Sequence, residues 1–386
     1  MKTGIEDYFV CKNNKKMAFG FTTGTCAAAA AQAAARLLLA GEPVDSVSIL
    51  TPKGIRLQLP IRESRREGGQ AICSVVKYAG DDPDVTDGTE VWASVEKTPG
   101  NDLEIDGGVG VGRVTKPGLD QPVGNAAINR VPRQMIGETV EEVRKELGYA
   151  GGLRIVISIP AGVELAAKTF NPRLGIVGGI SVLGTSGIVE PMSEAALVAT
   201  IAAEVRMRAA EGDRYLLAAP GNYGMDFLRD GRELSPERAV KCSNYVGQTI
   251  DLAVENGFQG LLFVSHIGKF VKVAGGIMNT HSREADCRLE ILAAHGALAG
   301  ADGETLRRVL VAATTEDALD VLEAGGVLEP VIRSLLEKIE FYCSHRCYGR
   351  IPIGAVLFSS RRGELGRSAR AEELAEKIIG ENSQKR

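Results

Sequence analysis

The chain has 386 residues, 44% of them hydrophobic and 24% charged, which describes a globular protein too long for one ordinary core. A net charge of −4, aromatics at 5% and a single tryptophan, Trp92, argue against nucleic-acid binding, which leaves a basic footprint and uses stacking rings. Seven cysteines without framework spacing fit reduced thiols in a cytoplasmic protein. No run reaches the roughly 18 apolar residues of a membrane span, and the mixed charges of residues 1–16 leave no signal-peptide core.

Residues 1–20 read as a polar, loosely ordered lead-in. Gly20-Phe21-Thr22-Thr23-Gly24-Thr25-Cys26 then opens an alanine-dominated helix to about Ala40, with Thr22, Thr23 or Thr25 as cap and Gly41 as terminator. Short β-rich segments follow at 47–50, 55–61, 71–78, 90–95 and 103–105, with turns at 81–84 and 99–102. Helix followed by a strand meander predicts an α+β domain. Residues 107–135, rich in Gly and Pro, predict a long loop, and a helix is expected over 138–147. A second pattern begins at Leu153, with strands at 154–159, 174–182, 215–219, 260–265 and 354–359. Helices separate them at 193–210, around 236–256 and on to about 342. Strand–helix alternation predicts an α/β domain with a mostly parallel, doubly wound, Rossmann-like sheet. The boundary is expected at 148–152, giving domains 1–150 and 151–386.

Ligands of such sheets sit beyond the carboxyl ends of the strands, and three of these ends stand out. Leu183-Gly184-Thr185-Ser186-Gly187-Ile188-Val189-Glu190-Pro191 is either a binding loop or a plain turn, and it lacks the full G-x-G-x-x-G spacing. Ala218-Ala219-Pro220-Gly221-Asn222-Tyr223-Gly224 offers Asn222 and Tyr223 to a ligand or merely shapes a turn. Val264-Ser265-His266-Ile267-Gly268-Lys269, leading to Asn279-Thr280-His281-Ser282, holds two of the four histidines. A lone histidine is more often structural, and two near one strand end shift the balance toward function. The 107–135 loop carries Arg113, Lys116, Arg130 and Arg133 against the single acid Asp120. That is a patch suited to carboxylates or phosphates, or else a solvated linker. Cys343-Ser344-His345-Arg346-Cys347 has no second Cys/His pair and reads as structural rather than as a zinc site.

Several segments, in chain order, resemble the cobalt-precorrin-5B carbon-1 methyltransferase family. They are Gly20-Phe21-Thr22-Thr23-Gly24-Thr25-Cys26-Ala27-Ala28, Val114-Thr115-Lys116-Pro117-Gly118-Leu119 and Ile128-Asn129 through Pro132-Arg133. Further along come Gly179-Ile180-Ser181-Val182 with the loop through Val189, Ser265-His266-Ile267-Gly268-Lys269, and Gly275-Gly276-Ile277-Met278-Asn279-Thr280-His281-Ser282-Arg283. The resemblance implies methylation of carbon 1 of a ring-contracted cobalt tetrapyrrole by S-adenosylmethionine, giving cobalt-precorrin-6A in anaerobic cobalamin biosynthesis. It brings no family-wide catalytic residue.

Under that reading Arg113, Lys116, Arg130 and Arg133 pair with the carboxylates of the anionic substrate, and Thr22, Thr23, Lys269 and Asn279 join the same set. Gly184, Thr185, Ser186, Gly187 and Glu190, with Asn222, are assigned to S-adenosylmethionine, since a carboxylate can bond ribose hydroxyls. His266 or His281 is expected to accept the departing proton or to cover the cobalt face. Cobalt belongs to the substrate, so no protein metal site, nucleic acid or membrane is expected, and a homo-oligomer stays open. Two rivals remain: a nicotinamide-dependent Rossmann oxidoreductase and a non-catalytic tetrapyrrole-binding protein.

Overall fold

Alanine is the best helix former and carries almost no side chain, so an alanine helix can be approached closely from every side. The computed structural model describes residues 3–12, 14–230 and 234–384, and helix Thr23–Ala40 lies at the heart of its first compact unit, Met1–Glu194. Thr22 caps it by accepting from the Thr25 amide, and Gly41, at φ 90°, closes it on the Leu37 carbonyl. Ala27 to Ala31 and Ala33 to Ala35 all have 0% exposure. On one side runs a five-stranded sheet in the order Glu63–Glu67, Gln70–Val76, Glu90–Thr98, Gly152–Ser158, Leu103–Gly107. On another lies helix Arg130–Glu146, so near that a Cβ on Gly24 would stand 2.7 Å from Pro132 Cγ.

Several expectations change here. The strand foreseen at 154–159 is Gly152–Ser158, and it inserts into the first unit's sheet, antiparallel to Glu90–Thr98 and parallel to Leu103–Gly107. The compact units therefore divide after Glu194, not at 148–152, because an apolar run does not encode which sheet it joins. The strand foreseen at 174–182 is two short ladders, Ile176–Val177 against Arg113–Val114 and Gly179–Ile180 against Gly110–Val111. The long loop stops at Asn129, since helix Arg130–Glu146 starts early and tolerates Pro132 in its first turn. The lead-in contains a hairpin of Phe9–Lys12 with Lys15–Ala18.

The second unit, Ala195–Arg386, holds a mixed five-stranded sheet in the order Val240–Lys241, Tyr215–Ala219, Gly260–His266, Ile353–Ser359, Gly363–Arg367. The first four strands are parallel and the last is antiparallel. Alternating residues feed two cores. Leu216, Leu261, Phe263 and Leu357 pack with Val246, Ile250, Leu335 and Ile339 on one face. Leu217, Leu262, Val264 and Phe358 pack with Leu228, Leu374 and Ile378 on the other. Helices therefore cover both faces.

The stretch foreseen as helical at 236–256 is a short turn Pro236–Arg238, strand Val240–Lys241 and helix Val246–Glu255. No helix of the described residues is long and apolar enough to cross a membrane. All seven cysteines are free thiols, with Cys11 and Cys287 exposed and the other five buried. Burial pushes the Cys26 and Cys242 thiols up to about 12.

An Ala30→Leu substitution inserts three carbons where nothing is exposed. It is expected to cost about 1–3 kcal/mol, read as a lower urea midpoint for the transition of the first unit with an unchanged slope.

Candidate functional site

In the first unit the structure brings Thr22 and Thr23 against the Gly184–Gly187 loop. The Thr22 amide donates to the Gly187 carbonyl at 3.1 Å and the Gly24 amide to the Leu183 carbonyl at 3.2 Å. Thr25 Oγ1 donates to the Gly187 carbonyl at 2.7 Å, while Thr23 Oγ1 bonds both the carbonyl and the amide of Leu183. Strand Ile188–Val189 completes the seam by pairing with Gly20–Phe21. Gly184 sits at φ 141°, and a Cβ there would stand 2.3 Å from Thr22 Oγ1, so only glycine lets the loop close. Ser186 Oγ donates to the Ile188 carbonyl at 3.0 Å, Glu190 is ion-paired with Lys53, and Thr185 is exposed. The threonine hydroxyls thus hold the fold together rather than facing a ligand.

The basic patch divides by role. Arg113 forms a two-pronged pair with Asp106 at 2.7 and 3.0 Å and also donates to the Gly107 carbonyl. That hydrogen-bonded pairing raises the Arg113 pKa and holds the Asp106 carboxyl below its usual range. Arg133 clamps three backbone carbonyls, Ile105 at 2.8 Å, Ile128 at 2.9 Å and Ala126 at 3.5 Å. The side chain of Lys116 lies against Gly175, where a Cβ would meet Lys116 Cγ at 2.4 Å. Arg130 is exposed on the first helical turn, its amide held by the Asp120 carboxylate.

In the second unit the residues after the parallel strands converge. His266 ends strand Gly260–His266 and caps the turn Ile267–Phe270, its Nδ1 accepting the Gly268 amide at 3.0 Å. The other ring nitrogen, Nε2, meets the Ser360 amide at 3.3 Å, Ser360 Oγ at 3.1 Å and Glu316 Oε1 at 3.5 Å. Both ring nitrogens are engaged within the protein, so the ring offers a face rather than a lone pair, and Tyr223 lies across it at 5.6 Å.

Burial pushes the His266 pKa below its ordinary 6.5, and the charge of Glu316 pulls the other way. Glu316 is fixed in turn by Ser359 Oγ at 2.9 Å, the Ser360 amide at 3.2 Å and Arg362 at 3.3 Å. Sequence reasoning missed Glu316, Ser360 and Arg362 because nothing local links helix Thr315–Ala324 to a strand end far upstream.

Lys269 Nζ donates to Asn244 Oδ1 at 2.8 Å, Thr280 Oγ1 lies 3.4 Å from the same oxygen, and Lys241 donates to Asn222 Oδ1. Asn222, His266 and Lys269 thus share one end of the sheet. Asn279 and His281 are tied into their own turn. Asn279 Oδ1 accepts the His281 amide at 3.2 Å, and His281 Nδ1 accepts the Arg283 amide at 3.1 Å.

Comparison with known proteins gives a consistent result. The CbiD family model matches residues 10–191, and the model of the CbiD C-terminal domain matches residues 279–369. A Ruminiclostridium cellulolyticum protein named cobalt-precorrin-5B C(1)-methyltransferase is 50% identical over 357 residues, covering 92% of this chain and 93% of its own. An Alkaliphilus metalliredigens protein of the same name is 45% identical over 373 residues, covering 97% and 98%. A crystal structure of a cobalamin biosynthesis protein (cbiD) from Archaeoglobus fulgidus aligns with TM-score 0.39 and 24% identity over 83% of this chain and 89% of that one.

Two outcomes follow from the geometry. Arg133→Ala leaves buried carbonyls without their donor, and a loss of about 1–3 kcal/mol of folding stability is expected in denaturant titration. In an NMR titration His266 is expected to lose its proton below the ordinary 6.5. Glu316→Gln removes the negative charge that favours imidazolium, so that midpoint moves lower still; a midpoint that rises in this variant would contradict the pairing.

Proposed function

The chain belongs to the CbiD family of cobalt-precorrin-5B C(1)-methyltransferases, and we propose on that premise that it transfers a methyl group from S-adenosylmethionine to carbon 1 of cobalt-precorrin-5B, yielding cobalt-precorrin-6A and S-adenosylhomocysteine. The observation that carries this reading is 50% identity along almost the whole of both chains to a protein bearing that name. The seven free thiols suit a reducing cytoplasm.

The donor supplies a methyl group on a sulfonium. The ring carbon's electron pair forms the new C–C bond, the methyl–sulfur bond breaks, and its electrons stay on the neutral thioether. A proton leaves the ring system to solvent or a nearby base. No nucleophilic side chain is needed, so the protein's task is to bind and aim two partners, and orientation supplies up to about 7–11 kcal/mol.

We read the second unit's sheet as Rossmann-like in use, with the donor at the strand ends that carry Asn222 and His266. In this reading His266, its nitrogens engaged, presents its ring to a ligand and does not act as the base. The exposed guanidinium of Arg130 at the helix start, and Lys116 in the loop before it, serve the carboxylates of the tetrapyrrole. Arg113 and Arg133 brace that loop. Thr22, Thr23 and the Gly184–Glu190 segment serve as its frame. The nicotinamide rival finds no support in Ala219-Pro220-Gly221-Asn222-Tyr223-Gly224, which lacks the glycine spacing of a dinucleotide turn.

Anaerobic incubation with cobalt-precorrin-5B and methyl-labelled donor is expected to place one labelled methyl on carbon 1, read by mass spectrometry. Arg130→Glu is expected to raise the KM for the tetrapyrrole by about tenfold to a hundredfold with donor affinity unchanged. Tight tetrapyrrole binding without transfer by folded wild-type protein would replace the enzyme with a carrier.

A further inference from the structure

Strand Tyr215–Ala219 lies between Val240–Lys241 and Gly260–His266. The chain leaves it toward Val240–Lys241 on one side and returns past it to Gly260–His266 on the other. Connections diverge there, and such a divergence opens a crevice beyond the strand ends. Two ammonium groups border that crevice. Lys241 ends its strand, and Lys269 follows Gly260–His266. The Lys269 ammonium reaches over the turn that follows Tyr215–Ala219. A Cβ on Gly221, whose φ is 82°, would stand 3.2 Å from Lys269 Nζ, so glycine leaves room for the charge.

Neither ammonium meets a carboxylate among the described residues. Lys241 donates to Asn222 Oδ1 and Lys269 to Asn244 Oδ1, both neutral amide oxygens. The neighbouring Lys272 differs, with Asp286 at 3.8 Å. Glu204, near this strand end, accepts the backbone amide of Lys241 at 3.3 Å. Burial above all, with repulsion from Lys241 and Lys272, lowers the Lys269 pKa. Half-buried like charges without a counter-charge are costly, and a bound anion relieves them. Each ammonium has three donors and uses one on its asparagine.

We propose that Lys241 and Lys269, held by Asn222 and Asn244, form a seat for one carboxylate of a reactant. This rests on the methyltransferase reading, under which the carboxylate comes from the amino-acid end of the donor or from an acetate or propionate arm of the tetrapyrrole. The amide oxygens fix the two ammonium groups without neutralising them, so the remaining N–H donors converge on a carboxylate.

The test is calorimetric titration of the full chain with S-adenosylhomocysteine, with decarboxylated S-adenosylmethionine and with cobalt-precorrin-5B. It uses wild type, Lys241→Gln, Lys269→Gln and the charge-keeping Lys241→Arg. If the donor fills the seat, each glutamine variant binds S-adenosylhomocysteine at least about tenfold more weakly, about 1.4 kcal/mol. Lys241→Arg restores most of the loss, and the decarboxylated compound binds all four proteins alike. A tenfold loss confined to the tetrapyrrole supports the seat and assigns its occupant to the substrate. Unchanged affinity for both ligands in folded Lys241→Gln and Lys269→Gln overturns the proposal. Methyl transfer by wild type, measured separately, keeps the two readings apart: transfer with unchanged binding removes only the seat, and absent transfer removes the function.

Discussion

A helix almost without side chains must be met at backbone distance on every side, and the first unit is arranged around that requirement. The five-stranded sheet, the pair of strands Ser46–Leu50 and Arg56–Pro60, and helix Arg130–Glu146 supply the bulk that the alanines lack, through Ile155 and Ile157, Ile49 and Leu57, and Ile136 and Val140. Burying the helix N-terminus leaves its amides without water, and each needs a partner. The Thr22 hydroxyl and the carbonyls of Leu183 and Gly187 answer that need. The same residues therefore look like a ligand loop by composition and behave as a closure by geometry.

The second unit is built on the opposite principle. Its sheet is sealed on both faces by large side chains, and polarity gathers where the parallel strands end. Several separate chain segments contribute there, and their contacts fall into two groups. Around His266 a carboxylate, a serine and an arginine satisfy one another. Around Lys241 and Lys269 the partners are neutral amides. The first group is balanced in charge, and the second keeps an excess of positive charge on an acidic chain.

What could be read in advance follows from how local each signal is. The alanine helix, its terminator Gly41 and a threonine cap among Thr22, Thr23 and Thr25 are written in consecutive residues, and the structure uses Thr22 and Gly41. Strands Tyr215–Ala219 and Gly260–His266 are short apolar runs bounded by turn residues and were equally legible. The strand Glu63–Glu67, exposed along its length, escaped notice because an edge strand guarded by charges has no apolar alternation. The partners of Gly152–Ser158 were not legible, since sheet membership is decided by distant segments.

For the site, residue types were legible and their use was not. Arg113 and Arg133 resemble Arg130 in sequence, and only the carboxylate and carbonyls around the first two tell them apart. The family emerged from the order of several segments, information that no single loop carries.

The distribution of thiols has a practical side. Cys11 belongs to the first compact unit and Cys287 to the second, and the other five sulfurs are buried. A maleimide fluorophore pair would attach once per unit without any engineered cysteine. The natural chain is thus ready for energy-transfer measurements of whether the two halves draw together when a reactant binds.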